Sequence, residues 1–357
     1  MSEKVFINRI GGAVPPYDVH RKFVDFAPRL LAGDRDRHLY RRMVERSQIA
    51  RRYSCLPPSA DPERLDAAGF YRRGAFPDTC ERMARYEREA PPLALAAVES
   101  LGPDLARERV THLIVASCTG FAAPGLDLQL AQALGLAPEV ERTIVGFMGC
   151  SAAIPALKLA RHIVRSRPQA RVLVVAVELC TLHLQETGTL EAVLSFTLFA
   201  DGAAAALVSG EPTGLEIEGF AAAVLPATAD HITWRIGAFG FDMHLSGAVP
   251  AAISRNLPSL PILLPPDRRD TAYWAVHPGG RSVLDAVESA LTLPPQALRH
   301  SRETLRQYGN MSSASVLFVL REILAETEAG RGCALAFGPG IAAEAMRFVK
   351  HRAASLL

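Results

Sequence analysis

The residue with the most obvious chemistry in this 357-residue sequence is Cys150. It follows an apolar, strand-like run at 143–147 and precedes a helical pattern at 153–165. Its sulfur would therefore face free backbone N–H groups and the positive end of a helix dipole, a setting that favours the nucleophilic thiolate. The alternative for a lone cysteine is a small apolar side chain that fills the core.

Two polar side chains far along the chain are candidate partners. His277 ends a strand-like run at 272–276 and is followed by a proline and two glycines. Open α/β sheets bind ligands at the carboxyl ends of strands, and glycines leave room for a substrate beside the imidazole. Asn310 stands between a glycine and a helical pattern at 314–324, where an ordinary helix cap is the alternative.

A Cys/His/Asn set serves two chemistries, amide hydrolysis as in papain-like proteases and carbon–carbon condensation through a thioester. The protease pattern requires a Trp-flanked cysteine near the start of the mature chain, and this sequence lacks it. Condensation fits better, because loss of CO₂ from a malonyl thioester leaves an enolate whose oxygen needs fixed hydrogen-bond donors. An imidazole and a carboxamide supply two, each worth about 3 to 4 kcal/mol, and neither a metal nor a redox cofactor is required.

The spacing of these residues repeats in the two halves of the chain. Cys150 follows Cys118 by 32 residues, and Asn310 follows His277 by 33. In both halves an arginine opens the next strand-like run 21 residues later. This periodicity predicts a duplicated α/β unit, with the cysteine in a half at 1–210 and the histidine and asparagine in a half at 211–357.

The elements that must position the site alternate along most of the chain. Up to residue 105 the sequence predicts polar helices at 19–31, 37–49 and 93–101, punctuated by proline pairs at 57–58 and 91–92. Beyond it, short apolar runs at 110–116, 142–147, 172–177, 203–208, 272–276 and 333–337 are separated by helical patterns. This alternation is typical of parallel strands joined by helical crossovers.

Composition excludes several classes of protein. Hydrophobic residues make up 49% of the chain and the formal net charge is +2, which argues against disorder and against a coat for nucleic acid or anionic membrane. Six cysteines without a CxxC pattern do not predict a disulfide framework or a zinc site. The start of the chain lacks an apolar leader-like run, and no stretch reaches the length of a membrane span, so we expect a cytoplasmic protein.

Four blocks of sequence resemble the signatures of type III polyketide synthases, the chalcone and stilbene synthase relatives within the thiolase fold. They lie at 148–150, 274–280, 308–314 and 337–340, with further support at 46–53 and 198–204. The resemblance implies an α/β, thiolase-like fold with a five-layered αβαβα core, and a homodimer. It also implies that Cys150 carries the acyl group while His277 and Asn310 bind the thioester oxygen and drive decarboxylation of malonyl-CoA, with CoA thioesters as substrates and no cofactor.

The same resemblance suggests where the substrates lie. Arg42 and Arg46 would bind CoA phosphates, with a solvated helix face as the alternative. Phe199 and Met243 would gate the passage from the CoA tunnel to the cavity, and flexible methionine at the second position suits bulky acyl chains. The cavity would be lined by Cys118, Ala123, His183, Trp234 and Ser312.

These positions predict a bacterial-type synthase that extends a fatty or other hydrophobic acyl-CoA by two or three malonyl units to an alkylpyrone or alkylresorcinol-like product. Trp234 argues against a very long chain, and His183 is either a cyclisation aid or a polar wall. The alternatives are a single-round ketoacyl-ACP synthase III, a hydroxymethylglutaryl-CoA synthase relative, or a non-catalytic scaffold. The first should carry His-Gln-Ala-Asn, whereas a proline follows His277 here.

Overall fold

The computed structural model describes residues 4–102 and 109–352. Its helices are α1 (His20–Phe26), α2 (Asp34–Ser47), α3 (Thr79–Glu99), α4 (Leu126–Ala133), α5 (Ala153–Ser166), α6 (Leu190–Leu198), α7 (Val249–Asn256), α8 (Arg281–Leu291), α9 (Arg299–Tyr308) and α10 (Ser315–Ala325). Its strands are β1 (Phe6–Ala13), β2 (Tyr17–Asp18), β3 (Tyr53–Ser54), β4 (His112–Ser117), β5 (Glu141–Gly146), β6 (Val172–Leu179), β7 (Asp201–Ser209), β8 (Leu215–Val224), β9 (Ile232–Gly237), β10 (Gly240–Leu245), β11 (Thr271–Val276), β12 (Gly330–Gly338) and β13 (Ala342–Lys350).

The main sheet has the strand order β11-β12-β13-β8-β1-β7-β6-β4-β5. The sheet has two arms, one formed by β11, β12, β13 and β8 and the other by β1, β7, β6, β4 and β5. Only two residue pairs, between β1 and β8, join the arms. Strands β4, β5 and β6 run parallel to one another, as do β11 and β12. Strand β5 forms one edge of the sheet.

Three hydrophobic cores separate the layers. The central core holds the buried faces of α5 and α10 against strands of both arms. The second holds α3 and α4 against the other face of β4, β6 and β7, and the third holds α7 and α8 against the other face of β11 and β12. The order is therefore helices, sheet arm, helices, sheet arm, helices, in agreement with the predicted five-layered α/β core.

Two sequence predictions were wrong in detail. Strand β7 runs antiparallel to β6, with Leu179 opposite Asp201, because α6 lies beyond the end of β6 and returns the chain at that same end. Helix α3 begins at Thr79, and Pro91 and Pro92 lie inside it. A capping box between Asp78 and Glu81 starts this helix, and its buried apolar face against the sheet outweighs the missing backbone donors.

Candidate active site

Cys150 is held in a short 3-10 turn, Gly149–Ser151, between β5 and α5. Gly149 has φ of +60°, and a Cβ atom there would lie 2.5 Å from Cδ of Pro339 in the other half of the chain. Only glycine satisfies both the backbone conformation and the close approach. The turn that carries the thiol is therefore packed directly against the 339–341 turn of the C-terminal half.

Asn310 lies where the two halves meet. Its backbone N–H donates to the carbonyl of Leu198, and its own carbonyl accepts from the N–H of Ala200. The side-chain Oδ1 accepts from the N–H of Ser312 and lies 4.0 Å from the Sγ of Cys150, while Nδ2 donates to the carbonyl of Gly279. One hydrogen of the carboxamide NH₂ remains for a substrate oxygen.

His277 follows β11, and its backbone N–H donates to the carbonyl of Leu335. The imidazole is buried, and neither ring nitrogen has a hydrogen-bond partner among the described residues. Burial lowers the pKa of His277 to about 3, so the ring is neutral and carries one N–H donor. An unpartnered buried imidazole is the arrangement expected of a group that binds a substrate oxygen.

The thiol itself differs from the prediction. Burial raises the pKa of Cys150 to about 11, although contacts with the side chains of Ser312 and Asn310 act in the opposite direction. The helix end does not compensate, because a 3-10 turn separates Cys150 from the first residue of α5. The resting cysteine is therefore a thiol, which must lose its proton as it attacks a thioester.

The sulfur opens into an enclosed space of about 30 Å³, which we call the thiol cavity. It is lined by Cys118, Thr119, Gly149, Cys150, Cys180, Phe196, Phe199, Ile232, Trp234, Met243, Ser312, Phe337, Gly338 and Pro339. A volume of this size holds about two water molecules. The cavity must therefore enlarge before it can hold a growing chain.

A much wider space of about 970 Å³, which we call the outer cleft, meets the thiol cavity at two places in the chain, 198–199 and 243–245. Leu198 lines the outer cleft, while its neighbour Phe199 lines the thiol cavity. On β10, Met243 faces the thiol cavity and Leu245 faces the outer cleft. The pair predicted as a gate, Phe199 and Met243, thus stands on the thiol-cavity side of this boundary.

The remaining cavity residues fall into two groups. Cys118, Trp234 and Ser312 line the thiol cavity, and the indole N–H of Trp234 donates to the carbonyl of Cys118. His183 is fully buried outside it: Nε2 donates to the carbonyl of Thr119, and Nδ1 accepts from the N–H of Phe241. Because both ring nitrogens are already hydrogen-bonded, His183 fixes the backbone at residues 119 and 241 and has no nitrogen free for a substrate.

Ala123 is also outside the thiol cavity. It lies exposed in the loop between β4 and α4, in which Phe121 packs against Phe147 just after the edge strand β5. Within a single chain, a larger side chain at this position would point to solvent and would not fill the site.

The two arginines predicted to bind CoA lie on α2. Arg46 lines the outer cleft, and Arg42 is exposed one turn earlier in the helix. Sequence reasoning missed Arg281 on the opposite wall, whose guanidinium donates to the carbonyl of Arg46. The available signal was its position immediately after the glycines that follow His277.

Glu178 is a second residue that sequence reasoning missed. It is fully buried behind the thiol cavity and accepts hydrogen bonds from the Ser313 and Thr119 hydroxyls and the Cys118 N–H. Burial outweighs these bonds and raises its pKa to about 7. The signal was the single charged residue in the otherwise apolar strand β6.

The arrangement places a carboxamide within 4.0 Å of a sulfur that opens into a small apolar space, and the same carboxamide bonds the carbonyl of Gly279, beside the neutral imidazole of His277. This is the geometry required for acyl transfer with stabilisation of a developing oxyanion. Within residues 4–102 and 109–352, no three His, Cys, Asp or Glu side chains are grouped as metal ligands. Over the same residues, no helix has the length and apolar character needed to span a bilayer.

The chain matches the family model of the chalcone and stilbene synthase N-terminal domain over residues 4–212, and that of the C-terminal domain over residues 216–351. It therefore belongs to the chalcone and stilbene synthase family. The chain is a type III polyketide synthase, an acyltransferase with a thiolase-like fold. This membership decides against the ketoacyl-ACP synthase III alternative.

Solved structures agree over nearly the whole chain. The C-terminal type III polyketide synthase domain of Steely1, a type I/III hybrid from Dictyostelium, is 26% identical with a TM-score of 0.88 over 97% of this chain and 99% of that one. PKS-I from the brown alga Ectocarpus siliculosus is 29% identical, with a TM-score of 0.84 over 98% and 99%. CsyB in complex with CoA-SH, at 23% identity and a TM-score of 0.85 over 97% and 100%, shares the fold.

Proposed function

We propose that this synthase loads a hydrophobic, fatty-type acyl group from CoA onto Cys150. It then extends the acyl group with malonyl-CoA by two or three units and closes the product to a pyrone or resorcinol-type ring. The observation that carries the proposal is the position of the thiol, in an apolar cavity lined by Phe199 and Met243, whose near neighbours Leu198 and Leu245 line a wide cleft. CoA would lie in the outer cleft beside Arg46, with Arg42 and Arg281 near its phosphates.

The roles of the three site residues follow from their hydrogen-bonding state. The Cys150 sulfur attacks the acyl thioester, the bond to the CoA sulfur breaks, and CoA leaves with the proton. Malonyl-CoA then binds with its thioester oxygen against the N–H of His277 and the free amide hydrogen of Asn310. Loss of CO₂ leaves an enolate held by these donors, and its carbon attacks the acyl carbonyl carbon on Cys150. The bond from that carbon to the Cys150 sulfur then breaks, which leaves a β-ketoacyl-CoA and a cysteine thiolate that takes a proton from water.

Support for a hydrophobic starter comes from a second enclosed space of about 40 Å³, the rear cavity. Phe196 and Phe199 line both it and the thiol cavity, and its wall also has the apolar residues Val19, Phe23, Leu56, Leu65 and Leu184 together with the charged Arg52 and Asp66. Rotation of the two rings would join the cavities into one apolar channel. Trp234 is held by its hydrogen bond to Cys118, so the chain would extend toward the rear cavity and away from Trp234.

We also propose that the enzyme is a homodimer. Strand β5 is a sheet edge, and the side chains around it are apolar and unusually exposed: Phe121 at 53%, Ile144 at 51%, Phe147 at 37% and Met148 at 38%. An apolar sheet edge left in water is prone to pair with another strand. Pairing of β5 with its copy would cover this patch and bring both Ala123 loops into the interface.

The test is to incubate the purified protein with malonyl-CoA and a panel of acyl-CoAs from two to sixteen carbons, and to identify adducts and products by mass spectrometry. We expect an acyl adduct on Cys150, CO₂ release and cyclised products, with higher kcat/KM for the longer apolar starters. Absence of both the adduct and CO₂ release would favour a scaffold. Highest activity with acetyl-CoA would refute the hydrophobic starter.

Phe196→Ala tests the rear cavity directly. Removal of the ring joins the two cavities, so we expect the preferred starter to become longer and kcat/KM for long acyl-CoAs to rise by about threefold to tenfold. The matched control is the same variant with butanoyl-CoA, which should keep its rate because it does not reach the rear cavity. An equal loss for both starters would show that Phe196 only supports the fold.

A further inference from the structure

A row of arginines lies along one exposed face of α2. Arg35, Arg42 and Arg46 are separated by seven and four residues, which places them on the same side of the helix. We call these three residues the arginine face. The opposite side of α2 carries the buried Tyr40, whose hydroxyl accepts a hydrogen bond from Thr197 next to the active site. This contact fixes which side of α2 faces outward.

None of the three guanidinium groups has an acidic partner within 4.0 Å in the part of the chain that the structure describes. Of the three acids of α2, Asp34 pairs with Arg37, Asp36 follows Arg35 about 100° away around the helix, and Glu45 lies at the margin of the face. The face is therefore a strip of positive charge without direct ion pairs. Such strips steer acidic partners and orient them on contact.

The strip extends well beyond the substrate entrance. Arg46 lines the outer cleft, whereas Arg35 lies eleven residues before it, about 16 Å away along the helix. Arg46, Arg42 and Arg281 already supply positive charge where a CoA molecule would enter. Arg35 does not line the outer cleft, and its position at the outer end of the strip points to a larger acidic partner.

We propose that the arginine face docks an acidic acyl carrier protein, which delivers the starter as a phosphopantetheine thioester through the outer cleft. This inference rests on the proposed function, because the carrier and CoA would load the same cysteine through the same reactive arm. The Cys150 sulfur attacks the thioester carbonyl carbon, and the bond from that carbon to the carrier's sulfur breaks. The carrier leaves with a free thiol that takes the cysteine proton, and no redox change occurs.

A carrier protein fits this surface better than a membrane or a nucleic acid does. A membrane-bound helix inserts a continuous row of large apolar side chains beside its basic ones, whereas between Arg35 and Arg46 only the half-buried Leu39 and the exposed Met43 lie beside the face. Single-stranded nucleic acid needs aromatic platforms for its bases, and no aromatic residue lies on this face. An acidic protein surface needs only the charge and the spacing.

The test compares two donors of the same dodecanoyl group, dodecanoyl-CoA and a purified acidic type II acyl carrier protein loaded with a dodecanoyl thioester. Acylation of Cys150 is followed by mass spectrometry in the wild type, Arg35→Glu, Arg35→Lys and Arg46→Ala. We expect Arg35→Glu to lower kcat/KM for the carrier protein at least tenfold and to leave kcat/KM for dodecanoyl-CoA within twofold. Arg35→Lys should retain the carrier activity, and Arg46→Ala should weaken both donors.

Arg269→Glu is the matched control, since Arg269 is also exposed and lies just before the amino end of β11, the opposite end of that strand from His277. It should affect neither donor, and carrier-dependent acylation should weaken as salt is raised. The proposal is overturned if the carrier protein does not load Cys150, or if Arg35→Glu changes both donors equally or neither. It is also overturned if Arg35→Glu abolishes binding to anionic phosphatidylglycerol vesicles without changing carrier-dependent acylation. Failure of dodecanoyl-CoA itself would instead refute the proposed starter.

Discussion

Asn310 connects the two parts of the reaction at the scale of single residues. Its carboxamide oxygen lies 4.0 Å from the Cys150 sulfur, and its amide nitrogen bonds the Gly279 carbonyl beside His277. The sulfur and the enolate donors are therefore neighbours with separate duties: the thiol carries the acyl group, and the donors serve decarboxylation. Removing one should leave the other's function in place.

Cys150→Ala should abolish acyl transfer and retain measurable CO₂ release from malonyl-CoA, because the donors for the enolate oxygen are still present. Asn310→Ala should lower CO₂ release about 100-fold to 1000-fold, corresponding to the loss of one preorganised donor. Release of labelled CO₂ and mass spectrometry of the acyl adduct measure the two activities separately. Equal loss of both activities in the two variants would contradict this division.

Glu178 supplies a prediction about pH and stability. Burial raises its pKa from 4.5 to about 7, so between these values the folded protein holds a proton that the unfolded chain has released. The contribution of Glu178 to the free energy of unfolding is fully present below pH 4.5 and is lost as the pH rises toward 7. This contribution is about 3 kcal/mol at most. Glu178→Gln removes the titration. Urea unfolding at pH 5 and pH 8 should therefore show a smaller decrease for the variant, and an identical decrease in both proteins would refute the assignment.

At the scale of elements, the turn at 149–151 is a place where the N-terminal half of the chain packs directly against the C-terminal half. Gly149→Ala would place a methyl group 2.5 Å from Pro339 in a backbone with φ of +60°. Moving the turn to relieve this contact would displace the sulfur, and a shift of about 1 Å can cost about 100-fold in rate. We expect lower stability by about 2 to 4 kcal/mol and at least a tenfold loss of product formation.

Gly135→Ala is the control for that variant. Gly135 also has a positive φ, +60°, but a Cβ atom there would meet nothing within 4 Å. It should cost only the backbone strain, about 1 kcal/mol, with activity unchanged. Chemical unfolding and product assays on both variants separate strain from contact. Similar effects at the two positions would show that the contact with Pro339 is unimportant.

Sequence patterns were most informative for the features that repeat in the two halves of the chain. The matched spacing of Cys150 and Asn310 within their halves, and the position of each after a glycine, predicted which elements carry the site, and the structure brings those side chains within 4.0 Å. Local sequence patterns were less informative where tertiary packing determines how far a helix extends. Pro91 and Pro92 suggested a helix boundary, yet they lie inside α3, because the capping box at Asp78 and the buried face extend the helix through them.

The remaining differences have a similar physical origin. The hydrogen-bond partners of His183 come from residues 119 and 241, which local sequence around it does not reveal, so its role as a brace was undecided. The prediction of a thiolate at Cys150 considered the helix end but not desolvation, which is the largest influence on the pKa of this half-buried cysteine. Burial is a property of the assembled layers and is only weakly encoded near the residue itself.

At the scale of the whole molecule, the edge strand β5 leads directly into the turn that carries Cys150. Assembly through this edge would therefore also rigidify the site. Ile144→Lys places a charge at the centre of the proposed interface, so we expect the assembly to change from about twice the 38.5 kDa chain mass to the chain mass itself in light-scattering chromatography. We also expect lower activity, because Phe147 and Met148 beside the thiol turn lose their cover.

The matched control is Ile262→Lys, since Ile262 is 61% exposed compared with 51% for Ile144 but lies far along the chain in the short 3-10 turn Pro261–Leu263. It should leave both the mass and the activity unchanged. A monomeric wild type would exclude the dimer, and a dimer unaffected by Ile144→Lys would place the interface elsewhere. A monomeric Ile144→Lys variant with full activity would keep the interface but show that each chain holds a rigid site by itself, through the packing of Gly149 against Pro339 alone.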